Sequence, residues 1–130
     1  MMENNYFDFE KLQVYQKALE YISFVYKLTS KFPSHEMYGL TSQFRRASVS
    51  IALNLAEGYG ETKPLFIRYS RISKSSIREC VVCTTIAFNL NYINEAEQKE
   101  SRARLTELSK MLSGLVSFVK KKIEEEKLTK

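Results

Sequence analysis

The sequence predicts an all-α protein, an antiparallel up-down-up-down four-helix bundle. Three observations carry this expectation. Apolar residues recur at spacings of three and four in four separate stretches. Only four Gly and two Pro interrupt 130 residues, too few turn formers for a sheet of short strands. The segments between the stretches are short, which makes successive helices antiparallel neighbours. At 44% hydrophobic and 27% charged, the composition is that of a globular chain rather than a disordered one. The length suits a single domain over residues 1–130, large enough to bury a core without staples.

The first helix is expected over residues 9–30. Asp8 is a suitable N-cap, because its carboxylate can accept from free backbone N–H groups. Leu12, Tyr15, Leu19, Ile22 and Tyr26 mark its apolar face, which Val14, Ala18, Val25 and Leu28 widen. Phe32-Pro33 ends it, since Pro disfavours helix at the residue before it.

The second helix is expected over residues 41–58, capped by Thr41 and closed by Gly58 and Gly60, which tolerate a left-handed conformation. Leu40, Phe44, Ala47, Ile51 and Leu55 share one face. Val49, Ala52, Leu53 and Ala56 make a second apolar surface with Arg45 at its edge. Only a narrow stripe stays polar: Arg46, Ser50, Asn54 and Glu57. A surface helix has one apolar stripe and a broad wet face. A helix apolar most of the way round is covered on two sides, and a partner chain is the simplest second cover.

The third helix is expected over residues 64–91, with Thr62 as cap and Pro64 in the first turn, where its missing N–H does little harm. Leu65, Tyr69, Ile72, Cys80, Cys83, Ala87 and Leu90 read as its inner face, flanked by Ile77, Val81 and Phe88. Arg71, Lys74 and Arg78 fall on one basic line on the opposite side. Asn94 and Glu97 have the spacing of a capping box, and open a fourth helix over residues 95–125. Its heptad-like seam is Leu105, Leu108, Leu112, Leu115 and Val119. The charged tail after Val119 is expected to fray.

The net charge of +5 is unevenly placed. Between Thr41 and Cys83 stand Arg45, Arg46, Lys63, Arg68, Arg71, Lys74 and Arg78, against only Glu57, Glu61 and Glu79. A local field of that sign attracts polyanions. Arg68, Arg71, Lys74 and Arg78 are the candidate nucleic-acid contacts. Basic surface also serves solubility alone. No apolar run is long enough to span a membrane. The N-terminus MMENNYFDFE lacks the basic start and apolar block of a signal peptide, so the expected location is the cytoplasm.

Catalytic and metal chemistry find little support. Cys80 and Cys83 spell CVVC, but zinc would need two further ligands and the single His35 is distant. A redox pair is typically placed at a helix N-terminus, whereas these lie in mid-helix. They read as packing thiols. Glu57 and Glu79 could pair for acid–base work, but nothing else resembles a site. No catalytic residue, metal or cofactor is expected. Glu79 shares a line with Ile72 and Ile86, and Ser76 is read as pointing inward. Glu79 is therefore expected to be buried and bonded to the Arg46–Asn54 stripe, closing a polar cluster of Arg46, Ser50, Asn54, Glu57 and Glu79 that fixes register or holds a ligand. The aromatics Tyr6, Phe7, Phe9, Tyr21, Phe24 and Tyr26 read as core or interface residues rather than base-stacking platforms.

Four segments then carry a resemblance: FEKLQVYQKALE (Phe9 to Glu20), FPSHEMYGLTSQFRRASVSIALNLAEGYG (Phe32 to Gly60), SSIREC (Ser75 to Cys80) and KMLSGL (Lys110 to Leu115). The chain resembles the four-helix bundle family of 23S rRNA intervening-sequence proteins. The run through Arg46, Ser50, Ile51, Asn54, Ala56, Glu57 and Gly58 is the most specific part. Lys74-Ser75-Ser76 stands where members often carry alanine-glycine-serine. The resemblance implies an up-down bundle assembling as a ring, a homopentamer, with no enzymatic activity. A related group, the accessory protein of diversity-generating retroelements, binds nucleic acid and a reverse transcriptase. The expected partners are therefore further copies of the chain, RNA or DNA, and a reverse transcriptase or other nucleic-acid enzyme. The rival expectation is a protein-interaction scaffold for such an enzyme, without nucleic-acid contact of its own.

Overall fold

The computed structural model describes residues 6–129. Residues 1–5, where the N-terminal decamer begins, and Lys130, the last residue of the charged tail, lie outside that range. Four helices make the fold: α1 (Gln13–Thr29), α2 (Leu40–Gly58), α3 (Lys63–Asn89) and α4 (Glu95–Leu128). Short 3₁₀ turns at Asp8–Lys11 and Ser34–Glu36 precede α1 and α2. No strand occurs among the described residues.

Side-chain contacts give the directions. Ser73 reaches Ile51 while Ser76 reaches Ser50, so α3 runs against α2. Lys74 meets Ser113 and Thr85 meets Arg102, so α4 runs against α3. Lys17 pairs with Glu107 and Lys31 with Glu97, so α1 runs against α4. The four helices close an antiparallel bundle.

Two helix starts differ from the expectation. Asp8 does not cap α1; it lies in the 3₁₀ turn, whose first N–H, that of Phe7, is held by the Glu10 carboxylate at 2.9 Å. The helix begins after Leu12, which is extended and offers no side-chain cap. Thr41 does not cap α2; it is buried inside the first turn. Glu36 supplies the missing acceptor, its Oε1 taking the Leu40 N–H at 3.1 Å. The other two starts form as read. Thr62 accepts from Leu65 N with Pro64 in the first turn, and Asn94 and Glu97 exchange bonds as a capping box. At the far ends Gly60 takes φ +83° after α2, and Asn91 takes φ 62° between α3 and α4.

The core comes from all four helices, including Val14, Tyr21 and Val25, then Phe44, Ile51 and Leu55, then Ile77 and Cys80, then Leu105, Leu108 and Leu112. On α1 the residues read as widening the face are the buried ones, while Leu19 and Tyr26 reach solvent. On α4 the seam drifts from Leu112 to Val116, with Leu115 and Val119 only half-buried. A straight helix turns by 3.6 residues, so a strict heptad line leaves the interface. The charged tail remains helical to Leu128, with Glu126 paired to Lys63 at 2.7 Å. At 34 residues against 27 for α3, α4 outruns its neighbours.

Helices α2 and α3 approach closely because small residues line their contact. A Cβ added to Gly58 would lie 2.7 Å from Tyr69 Cβ. Ser70, Ser73, Ser76 and Thr84 are buried on α3. The hydroxyls of Ser73, Ser76 and Thr84 find acceptors in backbone or in another hydroxyl: Ser73 on Ile51 O at 2.9 Å, Ser76 on Ser50 Oγ at 2.8 Å, and Thr84 on Cys80 O at 2.8 Å. A buried hydroxyl is tolerated when bonded in this way.

Candidate functional site

Placement of α3 decides where the candidate residues lie. Its buried residues set a rotation that leaves two contrasting lines outside. Leu65, Ile72, Glu79 and Ile86 repeat every seven residues and are all exposed. Glu79 is therefore not buried, contrary to expectation, and it makes no hydrogen bond or ion pair to Arg46 or Asn54. It does share a line with Ile72 and Ile86, but that line faces outward. Serines share the inner positions with Phe66, Ile67 and Ile77. Ile77, read as flanking, is core, while Leu65, Ile72 and Leu90 are exposed.

The expected polar cluster shrinks accordingly. Asn54 Nδ2 donates to Ser50 O at 2.9 Å and Ser50 Oγ at 3.0 Å, and Ser76 Oγ donates to the same hydroxyl. Arg46 and Glu57 are exposed and stand apart from this small knot. Leu53 is 63% exposed on α2, and Val82 is 56% exposed on α3. The second apolar surface of α2 thus narrows to Leu53 and the half-buried Val49 and Ala56, since Ala52 belongs to the core.

On the side of α3 toward α4, the basic line takes shape. Arg71 and Arg78 are exposed and Lys74 is half-buried. Arg68, one turn before Arg71, is exposed. Lys74 Nζ donates to Ser113 Oγ at 2.7 Å, and Arg78 donates to Ser75 Oγ at 2.9 Å. Beyond them a groove of about 370 Å³ runs between the two helices, lined by Ile77, Arg78 and Val81 from α3 and Arg102, Thr106 and Lys110 among others from α4. Arg102 donates to Thr85 Oγ1 across this groove at 2.7 Å. Sequence reading missed Arg102 and Lys110, because the seam drew attention to the buried face of α4 rather than to its edge. Their spacing of eight, on the line through Thr106, was the signal available.

The thiols and the histidine offer no chemistry of their own. Cys80 and Cys83 are free and buried. Burial pushes the Cys83 thiol up to about 11, helped by the charge of Glu79, and burial raises Cys80 further. His35 is exposed beside Glu36 and Tyr92, which are bonded to each other at 2.8 Å. Among the described residues, no group of three or more His, Cys, Asp or Glu could hold a metal ion. No described helix is long and apolar enough to cross a membrane.

Comparison with known proteins agrees with this architecture. A crystal structure of a protein of unknown function from the S23 ribosomal protein family of Bacteroides thetaiotaomicron superposes with a TM-score of 0.73. The match covers 79% of this chain and 97% of that one at 20% identity, and so speaks for the fold alone. No curated protein matches the chain. Residues 10–114, from the turn before α1 to well inside α4, match the family described as 23S rRNA-intervening sequence protein, and the chain belongs to that family.

Proposed function

We propose that this chain is a non-enzymatic, cytoplasmic protein that assembles with copies of itself and binds RNA or another nucleic acid through the basic line of α3. One observation carries the reading. Arg71, Lys74 and Arg78 share one side of α3, and among the described residues none of them is paired with a carboxylate. Cations left without acids in a protein of net charge +5 are free to meet an external polyanion. Contacts of this kind read phosphate rather than base edges.

Self-assembly is supported by the other line. Leu53, Ile72, Val82 and Ile86 leave aliphatic surface in water on α2 and α3. Grouped apolar exposure of this sort marks contact surface. The assembly proposed is a pentameric ring, which would repeat the basic line once per copy and multiply a weak local contact by avidity.

The test is fluorescence anisotropy with labelled RNA across a salt series. Wild type is expected to bind at low salt and to weaken steeply toward physiological salt, with a log–log slope of about −0.7 per phosphate neutralised on a single strand. Replacing Arg71, Lys74 and Arg78 together with Gln should flatten that slope. Equal binding by the two proteins would move the contact elsewhere. Absence of binding even at low salt would leave the scaffold reading. Light scattering behind size exclusion tests assembly, and Leu53→Glu should dissociate it while leaving the helix content unchanged.

A further inference from the structure

We propose that the groove between α3 and α4 is a two-walled track for the phosphodiester backbone of RNA, lined by Arg78 of α3 and by Arg102 and Lys110 of α4, with Lys74 of α3 bonded to Ser113 beside it. This rests on the RNA reading above and adds a second wall and two residues to it.

The argument is in how the cations are held. Lys74 is bonded to Ser113, Arg78 to Ser75 and Arg102 to Thr85. Each is positioned by a neutral hydroxyl, and none is neutralised by an acid. A guanidinium has five N–H donors, so one bond to a hydroxyl leaves most of the fork for an anion. Lys110 makes no hydrogen bond or ion pair among the described residues, and it lines the same groove. The opposite side of α4 shows the alternative. There Lys17 pairs with Glu107, Arg104 with Glu100 and Lys31 with Glu97. The hollow on that side is lined by Glu20, Glu100 and Glu107 together with Lys17 and Arg104. One helix thus separates a self-compensated surface from one whose lining contains no carboxylate.

The shape fits a linear polyanion. From Lys74 to Thr85, the residue that holds Arg102, the cations are spread over about 17 Å of helix. The groove offers the donors of Arg78, Arg102 and Lys110, while the backbone groups of both walls are spent inside their helices. A phosphodiester backbone presents acceptors to match, and arginine forks grip phosphate oxygens two at a time. An acidic peptide would also bring its own N–H groups, for which the groove has few acceptors. Ile77, Val81 and Leu105 form the floor, and no aromatic residue lines it. Without a stacking platform the track is blind to base identity.

The experiment is anisotropy with short labelled oligo(U) across a salt series. It compares wild type, the double variant Arg102→Gln/Lys110→Gln, and the α3 triple variant, each checked for helix content by circular dichroism. The double variant is expected to bind more weakly and to lose about 1.4 from the magnitude of the log–log slope. Lys110→Gln alone, which breaks no contact in the fold, should lose about half of that. If the double variant binds like wild type while the triple variant does not, the second wall is wrong and RNA binding on α3 stands. If wild type does not bind oligo(U) even at low salt, the RNA reading fails and the track with it. If oligo-glutamate displaces the RNA as effectively as unlabelled oligo(U), the occupant is an acidic protein, and the proposal is overturned.

Discussion

The hydroxyls of Tyr21 and Ser101 lie 2.9 Å apart in the core, joining α1 to α4. Ser101 also lies 2.8 Å from Thr84, which donates its proton to Cys80 O. Each hydroxyl has one proton. Thr84 has spent its own, so Ser101 donates to Thr84 and Tyr21 donates to Ser101. The direction of the whole chain is fixed from its last link. Ser101→Ala removes two bonds and strands the Tyr21 hydroxyl, and should cost about 1–3 kcal/mol. Tyr21→Phe keeps the ring and leaves Ser101 bonded to Thr84, and should cost about 0.5–1.5 kcal/mol. Urea unfolding followed by circular dichroism measures both, and the reverse ranking would contradict the central place of Ser101 in this chain of hydroxyls.

Gly58 and Gly114 should respond oppositely to alanine. At Gly58 the new methyl meets Tyr69 Cβ of α3 at 2.7 Å. Crowding of this kind costs about 1–3 kcal/mol. At Gly114 nothing lies within 4 Å, and the residue is inside α4. There alanine should stabilise by about 0.5–1 kcal/mol through helix propensity. Thermal melts of the two single variants should therefore move in opposite directions.

Stability should fall in acid through Glu36. Its carboxyl is held below its ordinary value of 4.5, first by the Leu40 N–H and then by the Tyr92 hydroxyl. A depressed carboxylate favours the fold above its ordinary pKa, and that contribution is lost as pH falls through the lowered value. The same bond raises the Tyr92 phenol. Glu36→Gln should flatten the part of the melting-temperature profile below pH 4.5. An unchanged profile would show that the start of α2 does not depend on this charge.

The two thiols should be inert until the bundle opens. At neutral pH both are protonated, since burial raises each of them. The thiolate is the reactive form. Labelling with a thiol reagent at pH 7 should be slow in the native protein and rapid in denaturant, and a disulfide between Cys80 and Cys83 should not form under mild oxidation. Rapid native labelling of either residue would mean that α3 opens locally.

Much of the fold was legible because it depends on local chemistry. Thr62, Pro64 and the Asn94–Glu97 box are self-contained signals, and each marks a helix start. Asp8 and Thr41 failed for separate reasons: Asp8 is taken up in a 3₁₀ turn closed by Glu10, and the start of α2 is completed by Glu36 from the preceding turn rather than by Thr41. The face of α3 was misread because size was used as a guide to burial. Ile72 and Ile86 are large and exposed, while Ser70, Ser73 and Ser76 are small and buried. Serine goes inside where a neighbouring helix offers an acceptor, and that acceptor belongs to the partner helix rather than to α3. The error on Glu79 followed directly. Within the candidate site, the α3 line was visible at spacings of three and four. The α4 wall needed the bundle, since it becomes a groove only when Thr85 and Arg102 are brought together.

The unequal length of α4 has a kinetic consequence. Its last buried residue is Val116, and a dozen further residues run on to Leu128. Those turns are held by pairs such as Lys122–Glu125 and Lys127–Glu124 along the helix and by Lys63–Glu126 at the start of α3. Exposed pairs contribute little each. Amide hydrogen exchange should then follow a gradient along one continuous helix, slowest near Leu105 to Leu112 and quickening toward the C-terminus. The helix would open from that end turn by turn, while the hydroxyl chain at Ser101 stays shut.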